Sequence, residues 1–258
     1  MILSPKILTH KNYNKIISLV PSQTELLCYL EMEAEVVGIT KFCIHPDRWY
    51  RNKTRVGGTK NIQFETIDQI SPDLIIANKE ENVKGQVEKL AEKYEVWITD
   101  VNNLSDAIFM IEDIGKLLGK QGQGRELTAE IKQGFLDLKK IYSTRRKIPT
   151  AYFIWKNPYM VAAGNTFIND MMNYCGLENV FADLKRYPEI MLDELVKRET
   201  ELILLSSEPY PFKKKHIDEF QKDLPGIKIM LVDGEMFSWY GSRLLKSVDY
   251  FHSFLDIL

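Results

Sequence analysis

Short aliphatic runs alternate with helical patterns along almost the whole chain, and that alternation leaves few folds open. Runs at Ile16 to Val20, Val36 to Ile39, Leu74 to Ala77 and Val96 to Thr99 read as buried strands beside polar or turn residues. Helical spacing predicts helices over Thr24 to Glu31, Phe64 to Ile70, Val83 to Tyr94 and Leu104 to Leu118, the last closed by Gly119. From Gln121 to about Arg145 the pattern becomes one long helix, with Leu127, Ile131, Phe135, Leu138 and Tyr142 spaced by fours and a three. The alternation then resumes, with strands at Ala151 to Trp155, Leu202 to Ser206 and Ile229 to Val232. Helices are predicted at Thr166 to Tyr174, His216 to Gln221 and Arg243 to Leu258. The predicted class is α/β, with mainly parallel sheets flanked by helices.

The two halves echo one another. "SPDLIIANKEEN…YEVWITD" and "ETELILLSSEPY…IKIMLVDG" both set an acidic residue before a buried strand, polar residues after it, a helix, and a strand ending in Asp100 or Asp233. The expected organisation is two similar lobes, residues 1–119 and 147–258, joined by a rigid helix over residues 120–146. At 258 residues and 45% hydrophobic content the chain can bury cores of that size.

Composition narrows the function. With 34 basic and 36 acidic residues the net charge is -2, which gives no footprint for nucleic acid or an anionic membrane. No run approaches the roughly 18 to 20 apolar residues that cross a bilayer. The opening "MILSPKILTHKNYNK" places Pro5, Lys6, His10 and Lys11 where a signal peptide would be apolar, which predicts a soluble chain without an export signal. Three cysteines with no CxxC pair read as thiols, Cys28 and Cys175 as buried ones.

In parallel sheets ligands bind beyond the carboxyl ends of the strands, so the residues there are the candidate site. After the first strand, Ser22 to Glu25 spells the S-x-x-E capping box, whose side chains serve a helix start. The free amides of that start, around Pro21, Ser22 and Thr24, could also meet an anionic or carbonyl group. "CIHP" offers Cys43 and His45 as metal ligands, but four scattered histidines make a protein-built metal cage improbable. Each could give a single ligand to a metal already held by an organic chelator, or simply sit in a structured loop. Trp49, Trp155 and Trp239 fall at or after strand ends, with Tyr50, Tyr159, Tyr210, Phe237 and Tyr240 nearby, a pattern suited to a bulky, flat, partly apolar ligand. Trp97 reads as core. Arg243 can clamp a carboxylate or phosphate or lie on a helix surface. Gly57-Gly58 is a turn, and no phosphate-binding glycine motif occurs.

The ordered set "KIISLVPSQTELLCYLEMEAEVVGITKFCIHP…RVGGTKNIQFETIDQISPDLIIAN", followed by "GLENVF" and "WYGSRLL", resembles the ABC-importer substrate-binding proteins for vitamin B12, ferric siderophores and haem, most closely the cobalamin-binding branch. The resemblance covers nearly the whole chain. It implies two α/β lobes on one rigid helix, with a metal chelate in the cleft between them, no tightly bound cofactor and no enzymatic activity. It implies ligand contacts from Pro21, Ser22, Thr24, Cys43, His45, Trp49, Trp155, Tyr159, Phe237, Trp239, Tyr240 and Arg243. Glu80, Glu81 and Glu208 would then be candidates for docking an importer permease with its ATPase, although Lys84 stands close to where the first lobe's docking acid is expected. The expected protein is a monomer without a nucleic-acid partner, periplasmic or attached to the cell envelope. The opening residues favour the cytoplasm instead, and with it the alternative of a cytosolic enzyme or metallo-cofactor handling protein that uses Cys43 and His45.

Overall fold

The computed structural model describes residues 2–3, 12–142 and 144–258, and these divide into two compact units. Pro5, Lys6, His10 and Lys11, on which the signal-peptide reading rests, lie outside the described residues. Of the described residues, the first unit comprises those up to 101 and those in 105–131 and 239–244; the second comprises those in 102–104, 132–238 and 245–258. No helix among the described residues is long and apolar enough to cross a membrane.

The first unit carries β1 (Ile2–Leu3), β2 (Ile16–Ser18), α1 (Pro21–Tyr29), β3 (Val36–Ile39), α2 (Asp47–Asn52) and β4 (Thr54–Arg55). It continues through α3 (Phe64–Ile70), β5 (Leu74–Asn78), α4 (Lys84–Ala91), β6 (Val96–Thr99) and α5 (Leu104–Leu117). Its strands form one parallel sheet in the order β1-β6-β5-β2-β3-β4. Strand β5 is buried at every position, as a strand covered by helices on both faces must be. On one face Ile17, Leu19, Ile75, Ala77 and Val96 pack with Ile67 of α3 and with Val87 and Leu90 of α4.

Helix α6 (Gln121–Tyr142) follows, assigned to the first unit up to Ile131 and to the second from Lys132. Leu127, Ile131, Phe135, Leu138 and Tyr142 are all buried, so the spacing read in the sequence is the helix's inward stripe.

The second unit holds β7 (Ile148–Trp155), β8 (Met160–Val161), α7 (Phe167–Tyr174), β9 (Leu177–Asn179), α8 (Leu192–Lys197) and β10 (Leu202–Ser206). Then come α9 (Lys214–Asp223), β11 (Lys228–Val232), α10 (Gly234–Ser238) and α11 (Leu244–Leu255). The sheet runs β11-β10-β7-β8, with β9 also paired to β7 and with β8 alone antiparallel to it. The echo between the halves is structural: β6-β5-β2 and β11-β10-β7 have the same order and sense. Ala151 and Phe153 pack into one core with Ile203, Leu205 and Phe220. On the other face Tyr152 meets Phe237, which meets Phe251.

Candidate functional site

Because the central strands are parallel, each unit gathers its strand-to-helix turns along one sheet edge. In the first unit that edge is set by a buried amide network. Asn78 donates from Nδ2 to the carbonyl and hydroxyl of Thr99 at 3.1 and 3.0 Å, and its Oδ1 accepts from the amides of Glu80 and Glu81 at 2.8 and 3.0 Å. Asn82 donates to the carbonyls of Leu19 and Thr59 at 3.3 and 3.1 Å, and Gln23 donates to Thr99 Oγ1 at 2.5 Å. Turns after β2, β4, β5 and β6 are thereby tied together by side chains whose polar atoms would be costly to leave unmatched.

The start of α1 corrects the capping-box reading. The helix begins at Pro21, its N-cap is Val20, and no side chain caps it. Proline favours the first helical position because its fixed φ suits it and its missing N–H has no intrahelical partner there, which puts Ser22 inside the helix. Glu25, expected to return to the cap amide, instead holds Arg243 through Nε to Oε2 at 2.7 Å and Nη2 to Oε1 at 3.0 Å. A charged two-point partner outcompetes a single backbone amide. Thr24 Oγ1 lies 2.8 Å from Ser18 Oγ, 3.0 Å from the Val20 carbonyl and 3.1 Å from Cys43 Sγ.

Cys43 is wholly buried, and Thr40 Oγ1 lies 3.2 Å from its sulfur. Burial pushes its thiol up, against hydrogen bonds from Thr24 and Thr40 that favour the thiolate. The protonated form is neither a nucleophile nor a metal ligand, which weighs against the enzymatic alternative. Among the described residues no three of His, Cys, Asp and Glu gather closely enough to hold a metal ion. Cys175 is buried as expected, whereas Cys28 is only half-buried, with Arg48 Nη2 3.6 Å from its sulfur.

His45 remains half-exposed, and its ring meets Trp239 edge-on at 5.5 Å and 72°. Trp239 in turn lies under the Arg243 guanidinium, 4.6 Å from the ring centroid. Trp49 is wholly buried in α2 with Lys53 over its ring, and Tyr240 is also buried. Tyr50 is exposed, and two further exposed apolar groups are residues that composition did not single out: Phe42, 50% exposed and covered on one side by Lys41, and Ile44, 43% exposed.

In the second unit, Trp155 ends β7, is 39% exposed and meets Tyr210 edge-on at 5.6 Å. Tyr159 turns towards the core against Phe153 and Phe220, and Phe237 is wholly buried. Glu208 accepts from Ser238 Oγ at 2.8 Å. In the first unit, burial pushes the Glu81 carboxyl up, with Lys60 opposing and Glu80 adding to the effect. Lys84, at the start of α4, lies 3.7 Å from Glu88. The first unit therefore brings His45, Trp239 and Arg243 together and ties Thr24 to Cys43, while Trp155 sits beside Tyr210 in the second. The Glu25–Arg243 pair was not legible locally, since its members are 218 residues apart.

The chain matches the family model described as periplasmic binding protein over residues 16–228. It is 24% identical over 253 residues to an uncharacterized ABC transporter substrate-binding lipoprotein of Bacillus subtilis, covering 93% of this chain and 79% of that one. Its fold matches the periplasmic vitamin B12 binding protein of Vibrio cholerae with a TM-score of 0.80 at 20% identity, over 95% of this chain and 97% of that one. It matches the periplasmic haem-binding protein of Roseiflexus sp. RS-1 with a TM-score of 0.80 at 16% identity, over 94% and 98%. The chain belongs to the periplasmic binding protein family.

Proposed function

We propose that this chain is the substrate-binding protein of an ABC importer and captures a metal chelate, of the corrinoid, ferric-siderophore or haem class, for delivery to a permease and its ATPase. The observation that carries the reading is that each unit exposes aromatic or apolar groups at its own strand ends. Phe42 and Ile44 beside His45 in the first unit, and Trp155 beside Tyr210 in the second, suit the partly apolar framework of a chelate. Relatives that bind vitamin B12 and haem, and one serving an ABC transporter, support the same class of ligand and partner. In this reading the chelate's own donors hold the metal, and the protein buries the organic frame. Pro21, Ser22, His45, Trp155 and Trp239 are the proposed contacts, burial having withdrawn Thr24 and Tyr240, while Glu80, Glu81 and Glu208 are the proposed transporter contacts and the periplasm or cell envelope the working place.

Titrating the protein with dicyanocobinamide, haemin and ferrichrome tests the reading. One probe is expected to quench tryptophan emission and raise the melting temperature, and Trp155→Ala to weaken its binding by about tenfold. No quenching and no thermal shift with any of the three would sink the proposal.

A further inference from the structure

The last turn of chain before α11 builds a layered stack inside the first unit. Trp239 to Leu244 are assigned to that unit although the residues on both sides belong to the second. Gly241 lets the segment lie against α1: its φ is +110°, and an added Cβ would stand 3.3 Å from the Ser22 carbonyl oxygen and 3.4 Å from Leu26 Cβ. The side chains of Arg243 and Glu25 are 5% and 13% exposed, and their two-point contact uses the flat edge of the guanidinium. Its central carbon lies over the Trp239 ring, 4.6 Å from the centroid and within the range of a cation–π contact, and Trp239 meets the imidazole of His45. Carboxylate, guanidinium, indole and imidazole thus come from three separate segments: α1, the segment before α11, and the loop after β3.

We propose that Arg243 is a positioning residue for ligand capture: gripped by Glu25, it fixes the plane of Trp239 and, through it, the ring of His45. The proposal rests on the binding function above and revises the role of Arg243 within it. The guanidinium is committed to Glu25 and Trp239, so the ligand meets the outer, half-exposed end of the stack at His45 rather than a cationic clamp. Lysine cannot take this role. It keeps the charge for Glu25 but has neither the planar fork nor the flat face that covers an indole.

That difference makes Arg243→Lys the deciding variant. The full chain is labelled with 5-fluorotryptophan, which gives one fluorine signal for each of the four tryptophans, and Trp239→Phe identifies the Trp239 line. In the ligand-free protein, Arg243→Lys and Glu25→Gln are expected to shift the Trp239 line while those of Trp97 and Trp155 stay in place. Binding of whichever of dicyanocobinamide, haemin or ferrichrome the unaltered protein takes is expected to weaken by about tenfold in Arg243→Lys. An unmoved Trp239 line, or a moved line with unchanged affinity, overturns the proposal. If Arg243→Lys fails to fold, Glu25→Gln, which keeps the shape of the carboxylate, decides by the same readouts. If the unaltered protein binds none of the three probes, the fluorine shifts still decide the positioning of Trp239, and only the assigned ligand class falls.

Discussion

Cys43 shows how burial decides what a residue can do. Two threonine hydroxyls approach its sulfur, yet burial outweighs them and pushes the thiol up. Ellman's reagent is therefore expected to label Cys28 in the native protein, and Cys43 and Cys175 only after denaturation. Fast native labelling of two or more thiols would contradict this burial pattern. The sequence had Cys43 and His45 as a pair worth testing, but it could not distinguish a buried sulfur from a half-exposed imidazole two residues on. A loop has no periodicity from which to read direction. Arg243 was legible as a candidate for an anionic partner; that the partner is Glu25 required tertiary structure. Phe42 and Ile44 went unnoticed for the complementary reason: a single apolar residue in a loop is ordinary until its exposure is known.

The long and strongly patterned elements were the legible ones. Strands β3 and β10 and helix α3 occupy the residues that their patterns mark, and α5 and α6 differ only at their ends. Helices α2, α8 and α10, of six, six and five residues, escaped because one or two turns hold too few apolar positions to set a period. In α6 the inward stripe was legible, but its closest packing was not. A Cβ added to Gly134 would lie 2.8 Å from Val248 Cγ2 of α11, so the glycine admits that neighbour rather than weakening the helix to no purpose. Gly134→Ala is expected to cost about 1–3 kcal/mol, read from the urea midpoint, despite alanine's better helix propensity. Gly122→Ala, where nothing lies within 4 Å, is the matched control and is expected to raise stability by at most about 1 kcal/mol. Equal effects at the two sites would refute the packing argument.

At the scale of the whole molecule, neither unit is one continuous stretch of chain. The alternation of strands and helices predicted two α/β lobes but not that the first would claim Trp239–Leu244, because a six-residue return carries no pattern of its own. A fragment ending at Ile131 lacks Arg243 and leaves the Glu25 carboxylate without that counter-charge in a mostly buried position, which is strongly destabilising. Such a fragment is expected to give no cooperative thermal transition by circular dichroism, and a sharp two-state melt would refute the dependence. The same return has a consequence for synthesis. Glu25 is followed to its partner by 218 residues, on the order of ten to forty seconds of translation, so the first half of the chain leaves the ribosome before its own closing contact exists. Its final form waits for a segment made 218 residues later, and through that interval a chaperone is the most useful neighbour it can have.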